Sequence, residues 1–109
     1  MEKEEEIYDY LRKNHTGKDN AVHSCDLEDL FGLSGRGIRR KVSSLRQNGY
    51  PVCSDRTGYY CAQTQREIND TVARLNEFVT KLANARTGLL GAELDREEGP
   101  VIEITIKVI

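Results

Sequence analysis

The side chains best suited to binding a charged partner are basic groups that lie close together in one short stretch of the chain. Between Leu30 and Ser54 there are five basic residues and no acidic one, so this segment carries a charge of +5. The whole chain has a net charge of −2, which leaves −7 for the remainder. Charge separated in this way suits a polyanionic partner, because one face attracts phosphates while the rest repels them. A helix face that is merely solvated is the alternative explanation of such a run.

The apolar spacing predicts the element that positions these groups. Ile38, Val42 and Leu45 recur at helical intervals and define a packing face. Because Ser34 is a suitable N-cap, we predict a helix over residues 35–48. The opposite face carries the polar side chains Arg36, Arg39, Arg40, Ser43, Arg46 and Gln47.

Shorter elements flank this helix on both sides. Residues 24–34 predict a short helix and a turn that contains Gly32, and two helices joined in this way match the helix-turn-helix pattern. Residues 51–54 and 59–62 predict a β-hairpin, whose loop Gly58 can close with a positive φ.

The hairpin register follows from the position of its glycine. If Gly58 is the last residue of the loop, Cys53 lies opposite Cys61, close enough for a disulfide. Two small, buried, free thiols are the favoured interpretation in a reducing compartment. Tyr59 and Tyr60 point to opposite faces of the hairpin, so we expect one in the core and the other exposed.

Helix, turn, helix and hairpin together resemble a winged helix-turn-helix DNA-binding domain, over about the first 62 residues. The likeness is closest to the helix-turn-helix type at the front of biotin operon repressors and to small winged-helix proteins of bacterial prophages. The residues that carry the match are Leu33, Ser34, Arg36, Ile38, Arg39, Val42, Leu45, Arg46, Gly49, Pro51, Cys53, Ser54, Gly58, Tyr59 and Tyr60.

The resemblance implies an α+β fold with a three-helix core and a β-hairpin wing. We expect a winged helix-turn-helix domain over residues 1–62, followed by a long α-helix and a C-terminal β-strand over residues 63–109. A first helix over residues 2–14 closes the core, and a short strand at Ala21 and Val22 joins the wing sheet.

The resemblance also implies which side chains meet double-stranded DNA when the recognition helix enters the major groove. The candidates for base edges, where arginine matches guanine, are Arg36, Arg39, Arg40 and Ser43. The candidates for phosphate are Lys41, Arg46 and Gln47. Arg56, at the wing tip, reaches the minor groove or the adjacent backbone. The expected function is that of a sequence-specific bacterial or prophage transcription regulator.

Two other functions compete with this prediction. A winged helix can instead dock other proteins, for instance in phage replication or assembly, and the fold alone does not decide. A docking module has no need of an acid-free basic face, which favours DNA. RNA binding is the weaker option because the sequence lacks an aromatic stacking platform.

A second helical pattern begins with Thr64 and Glu67, which form a capping box, and its predicted end is Gly88. Apolar residues follow at heptad-like spacing: Ile68, Val72, Leu75, Val79 and Leu82, with Phe78 beside them. This helix can fold back on its own domain or pair with a twin, and pairing is favoured. Arg86 interrupts the stripe, so the predicted seam stops near Leu82.

Residues 101–109 alternate apolar and polar side chains strictly, which predicts a half-buried strand. Its apolar side is formed by Ile102, Ile104, Ile106 and Val108. Such a strand must bury this side and pair its backbone with a neighbour. We therefore expect a homodimer through residues 64–109, built by the long helix, the strand or both.

Composition argues against several other classes of protein. No apolar run approaches the ~20 residues that a membrane span needs, and the acidic start is unlike a signal peptide. Three cysteines, an odd number, favour a reducing cytoplasmic setting. We find no nucleophile–base set, ligand spacing or phosphate loop, so we expect no catalytic residue, no metal and no cofactor.

Overall fold

The computed structural model describes residues 3–92, and within them the chain is α+β, with four α-helices and a two-stranded antiparallel hairpin. A short 3-10 helix, Lys18–Asn20, lies in the first connection. The main elements are α1 Lys3–Asn14, α2 Ser24–Phe31, α3 Gly35–Gln47, β1 Val52–Asp55, β2 Gly58–Cys61 and α4 Gln65–Leu90.

Within the described residues the chain divides after Arg74, inside α4, and the part that ends at Arg74 is one compact unit. The first unit includes the first turns of α4 as well as α1, α2, α3 and the hairpin. The predicted strand at residues 101–109 and its role in a dimer lie outside the described residues. No helix within residues 3–92 is both long enough and apolar enough to cross a membrane.

The core of the first unit joins α1, α2 and α3 to one face of the hairpin. Helical spacing places one apolar stripe on each helix, and the core residues are less than a tenth exposed. They are Ile7, Leu11, Val22, Leu27, Ile38, Val42, Leu45, Val52 and Cys61. The predicted packing face of the helix after Ser34 is thus confirmed.

Both ends of α3 follow from local chemistry. The Ser34 hydroxyl accepts a hydrogen bond from the Gly37 N–H at 3.1 Å, which confirms the predicted N-cap. The helix ends at Gln47, and Asn48 is its C-cap. In the turn before α3, Gly32 takes the left-handed conformation that ends α2, with φ 65° and ψ 38°.

The register of the hairpin differs from the predicted one by one residue. Val52 lies opposite Cys61 and Cys53 lies opposite Tyr60, so the two cysteines point to opposite faces and both are free. The favoured interpretation of two buried free thiols is therefore confirmed, and the alternative, a disulfide, does not form. The loop has two residues rather than three, and within it the Asp55 carboxylate accepts a hydrogen bond from the Thr57 N–H at 2.8 Å.

The predicted short strand before α2 is present as a single bridge to the hairpin. The Val22 N–H donates to the Tyr59 carbonyl, and the Tyr59 N–H donates back to the Val22 carbonyl, both at 2.9 Å. Gly58 has a φ of 141°, and a Cβ there would collide with the Val22 carbonyl oxygen. The glycine therefore permits this close approach of two backbones.

Both tyrosines of the hairpin are at least partly covered, so the expectation of one exposed tyrosine is wrong. Tyr59 packs against the core, and Tyr60 is only 2% exposed on the other face. On that face the Cys53 thiol donates to the Glu67 carbonyl at 3.6 Å. The buried Thr71 hydroxyl accepts from the Ser54 N–H at 3.4 Å. The first turns of α4 thus lie against the hairpin.

The capping box that starts α4 is confirmed in both directions. The Glu67 N–H donates to the Thr64 hydroxyl at 3.2 Å, and the Thr64 N–H donates to the Glu67 carboxylate at 3.3 Å. The predicted end at Gly88 is wrong, because α4 continues to Leu90. Gly88 is not among the glycines with positive φ, so it acts as an ordinary helical residue. A glycine ends a helix only where it turns left-handed.

Candidate nucleic-acid interface

Helix α3 places most of the predicted contact residues on its accessible side. One side of α3 is fixed in the core by Ile38, Val42 and Leu45, so the other side is left to solvent. The exposed members are Arg36, Arg39, Arg40, Ser43 and Gln47, and Lys41 is half-buried. The Gln47 amide donates to the Ser43 hydroxyl at 3.1 Å, so these two side chains form one polar pair.

An acidic side chain that the sequence did not reveal lies near the start of α3. A Cβ placed on Gly35 would lie 3.3 Å from a carboxylate oxygen of Glu28 and 3.6 Å from a guanidinium nitrogen of Arg39. The Ser24 hydroxyl donates to the same Glu28 oxygen at 3.1 Å. The segment from Leu30 to Ser54 is free of acids in sequence, but in space α2 brings one carboxylate to its edge.

The side chain of Arg46 is hydrogen-bonded to the hairpin and only partly available to a ligand. Its Nε donates to the Val52 carbonyl at 2.8 Å, and a terminal nitrogen donates to the Ser54 hydroxyl at 2.9 Å. Burial lowers the pKa of this guanidinium below its ordinary value, although arginine keeps its charge at neutral pH. Sequence reasoning assigned this side chain to phosphate. The structure adds a second role, which is to tie α3 to β1.

The loop of the hairpin borders a second basic feature, an open groove of about 360 Å³. Arg56 is exposed there, as expected at a hairpin tip. Lys18 and Arg74 join it from elements 56 residues apart in the chain, and no sequence signal links them. The groove is also lined by Asp55, so its charged lining consists of three cations and one carboxylate.

Hydrogen bonds within the groove fix two of its charged groups. Arg74 donates to the Ser54 carbonyl at 2.6 Å, which holds its guanidinium against the hairpin. Burial acts to raise the pKa of the Asp55 carboxyl, but hydrogen bonds from Thr57 outweigh it and the pKa is lowered. The carboxylate is therefore charged at neutral pH and partly offsets the local cations.

Two other titratable groups of the first unit, His15 and Cys53, have structural contacts. The two ring nitrogens of His15 lie 2.8 Å from the Asn20 carbonyl and 3.2 Å from the Tyr10 hydroxyl. Burial raises the pKa of the Cys53 thiol, which makes it a poorer nucleophile. Among residues 3–92, no group of three or more His, Cys, Asp or Glu side chains is placed to hold a metal ion.

Comparison with protein-family models, curated proteins and solved structures gives no match to this chain.

Proposed function

We propose that this chain is a winged helix-turn-helix protein that binds double-stranded DNA in a sequence-specific manner, as a bacterial or prophage transcription regulator. The observation that carries the proposal is the row of exposed arginines Arg36, Arg39 and Arg40 on a helix whose other side is locked in the core. Guanidinium groups on a rigid helix suit both phosphate contact and bidentate recognition of guanine.

The arrangement around this row supports the same proposal. In the proposed winged helix, the three-helix core consists of α1, α2 and α3, and α3 is also the recognition helix. The wing is the hairpin of β1 and β2. Arg46 fixes the hairpin to α3 through Val52 and Ser54, so the two proposed DNA-contacting elements keep one relative orientation. A fixed orientation is needed for contacts in neighbouring grooves to form together.

The proposed roles follow the position of each side chain. The side chains assigned to base edges are Arg36, Arg39, Arg40 and Ser43. Those assigned to phosphate are Lys41, Arg46 and Gln47. Arg56 meets the minor groove or the backbone beside it, and Lys18 and Arg74 add positive charge around it. The proposed function is binding.

The test is enrichment of random duplex DNA with the full chain, followed by affinity measurements on the preferred site. Affinity should fall steeply between ~50 and ~200 mM salt because bound cations release counterions from the DNA. Arg39→Ala or Arg40→Ala should cost ~1–3 kcal/mol and relax the preference at one base pair.

Arg66→Ala is the matched control, since Arg66 is an exposed arginine of α4 outside the proposed interface. It should leave the preferred sequence unchanged. Absence of duplex binding at low salt would remove the proposal. If every arginine variant lowers affinity by the same amount on all sequences, α3 contacts phosphate only and base readout is wrong.

A protein–protein docking module remains the second candidate, because α4 exposes a row of large apolar side chains. The two candidates predict different results for Arg36→Ala. DNA affinity falls if α3 is the binding face, whereas a docking function that uses α4 leaves partner binding unchanged.

A further inference from the structure

The apolar stripe of α4 is exposed along its length. Large apolar side chains repeat at intervals of three, four and three residues and then, after Arg86, at seven, and they are 39% to 78% exposed. They are Val72, Leu75, Val79, Leu82 and Leu89, with Phe78 beside them. Isolated exposed leucines are ordinary on protein surfaces, but a continuous row on one helix is typical of a buried seam.

The types of residue along this row select one kind of partner. Written as heptads, Val72 and Val79 occupy a positions, and Leu75, Leu82 and Leu89 occupy d positions. Among parallel coiled coils, a β-branched residue at a with leucine at d is the combination that favours two strands over three or four. Because α4 continues through Gly88, the final leucine stays in register with the others.

The positions beside the seam carry no charge that would oppose self-pairing. The residues at e and g between the first and last full turns are uncharged: Asn76, Phe78, Ala83 and Ala85. Charged side chains such as Glu77 and Lys81 occupy the outer positions f and c. Two identical helices can therefore meet along this stripe without placing like charges opposite each other at its edges.

Arg86 is the single charged residue in the seam, at an a position. In a parallel pair it faces its own copy, which lowers stability. A polar residue at a single a position also specifies the register and the number of strands. The seam predicted from sequence stopped near Leu82, and the helix extends it one d position further to Leu89.

The exposed area is enough for a pair but not for a very stable one. The six apolar side chains expose on the order of 600 Å² per chain, so two copies bury at most about 1,200 Å², the lower end of specific interfaces. The seam from Val72 to Leu89 is ~27 Å long, roughly two and a half heptads. A seam this short gives an equilibrium that depends on concentration.

We propose that α4 pairs with α4 of a second copy of this chain, as a parallel, in-register, two-stranded coiled coil along Val72 to Leu89. This inference does not rest on DNA binding, because the pairing surface and the basic side of α3 share no residue.

Sedimentation equilibrium on the full chain without DNA tests the pairing. The average mass should rise from monomer to dimer with concentration, with a midpoint at ~1–100 μM. Leu82→Glu puts a charge at a d position and should keep the chain monomeric, whereas Asn84→Glu, at the outer f position, should leave the dimer intact. Circular dichroism checks that both variants remain helical.

Cysteine cross-linking tests the direction and register. In a Cys25→Ser background, which removes the exposed native thiol, Val72→Cys should form a disulfide-linked dimer quickly in a glutathione buffer. Ala73→Cys, one position outside the seam, should do so much more slowly. In an antiparallel pair residue 72 lies near residue 89 of the other copy, so its own thiols are far apart.

Three results would overturn the proposal. A full chain that stays monomeric at ~500 μM assigns the stripe to an intramolecular occupant, such as residues 93–109. A dimer that survives Leu82→Glu uses another surface. A dimer in which Val72→Cys and Ala73→Cys cross-link equally slowly is not parallel and in register. DNA affinity is measured separately, on a single half-site. A result that overturns the coiled coil therefore does not decide whether the chain binds DNA.

Discussion

The Nε of Arg46, in the last turn of α3, donates a hydrogen bond to the carbonyl oxygen of Val52, the first residue of β1, at 2.8 Å. The same guanidinium reaches the Ser54 hydroxyl at 2.9 Å. One side chain thus fixes the hairpin to the helix that carries the exposed arginines. Because the group is partly buried, its loss leaves acceptors on β1 without a partner.

Arg46→Ala is therefore expected to lower the free energy of unfolding by ~1–3 kcal/mol, the cost of unpaired partly buried polar groups. Arg40→Ala, on the exposed side of the same helix, should change it by less than ~0.5 kcal/mol. Urea denaturation of both variants measures the difference. Equal stability of Arg46→Ala and the parent chain would show that the two hydrogen bonds contribute nothing. The effect of Arg46→Ala on DNA affinity is meaningful only where the variant is fully folded.

Local signals explain the parts of the fold that the sequence predicts well. The Ser34 cap and the Thr64–Glu67 capping box each involve residues three positions apart, so sequence alone contains the whole interaction. The buried side of α3 follows from helical spacing in the same way. This part of the candidate site is predictable for the same reason, because the exposure of Arg36, Arg39 and Arg40 is a consequence of that spacing.

Contacts between distant segments explain what the sequence does not predict. The hairpin register depends on Gly58 fitting under the Val22 carbonyl, a contact across 36 residues. The grouping of Lys18, Arg56 and Arg74 in one groove likewise depends on the packed fold. The inward role of Arg46 is hidden because its helical position alone places it with the exposed arginines.

Glu28→Gln is expected to raise DNA affinity about two- to fivefold, if α3 binds DNA as proposed. Its carboxylate lies beside Gly35 at the start of the proposed recognition helix, where it repels phosphate. A two- to fivefold change corresponds to ~0.4–1 kcal/mol, the size of an interaction between exposed charges. Titration of labelled duplex at low salt is the measurement. Asp70→Asn removes an equal charge from α4 and should have a smaller effect. If both variants raised DNA affinity equally, the effect would come from net charge alone and not from the position of Glu28.

Glu67 is expected to make stability depend on pH in the acid range. Hydrogen bonds from the backbone N–H groups of Gln63 and Lys18 lower the pKa of its carboxyl below the ordinary value of 4.5. A carboxyl with a lowered folded-state pKa stabilises the fold above its ordinary pKa, and this contribution is lost as pH falls through the lowered pKa. Stability should therefore fall as the pH drops below about 4.5.

Glu67→Gln tests this contribution. The variant should be less stable than the parent at pH 7, because the charge-assisted hydrogen bonds are weakened, and its stability should fall less steeply in acid. Glu77→Gln, an exposed residue of the same helix, should retain the full acid dependence. Urea denaturation from pH 7 to about pH 3 measures both. Parallel curves for the parent and Glu67→Gln would contradict the role of this carboxylate. Asp55, whose pKa is also lowered, accounts for part of the dependence that remains.

Two glycines with positive φ give a matched pair for testing the contact between the hairpin and the segment before α2. Gly49 has a φ of 87° and open space where a Cβ would lie, so Gly49→Ala should cost only the ~1–2 kcal/mol of a left-handed alanine. Gly58 has a φ of 141°, and a Cβ there collides with the Val22 carbonyl oxygen. Gly58→Ala should therefore be the more destabilising change, because the backbone pair of Val22 and Tyr59 must separate. Thermal and urea unfolding rank the two variants, and amide exchange at Val22 should accelerate in Gly58→Ala alone. An equal loss of stability would mean that this bridge does not hold the hairpin in place.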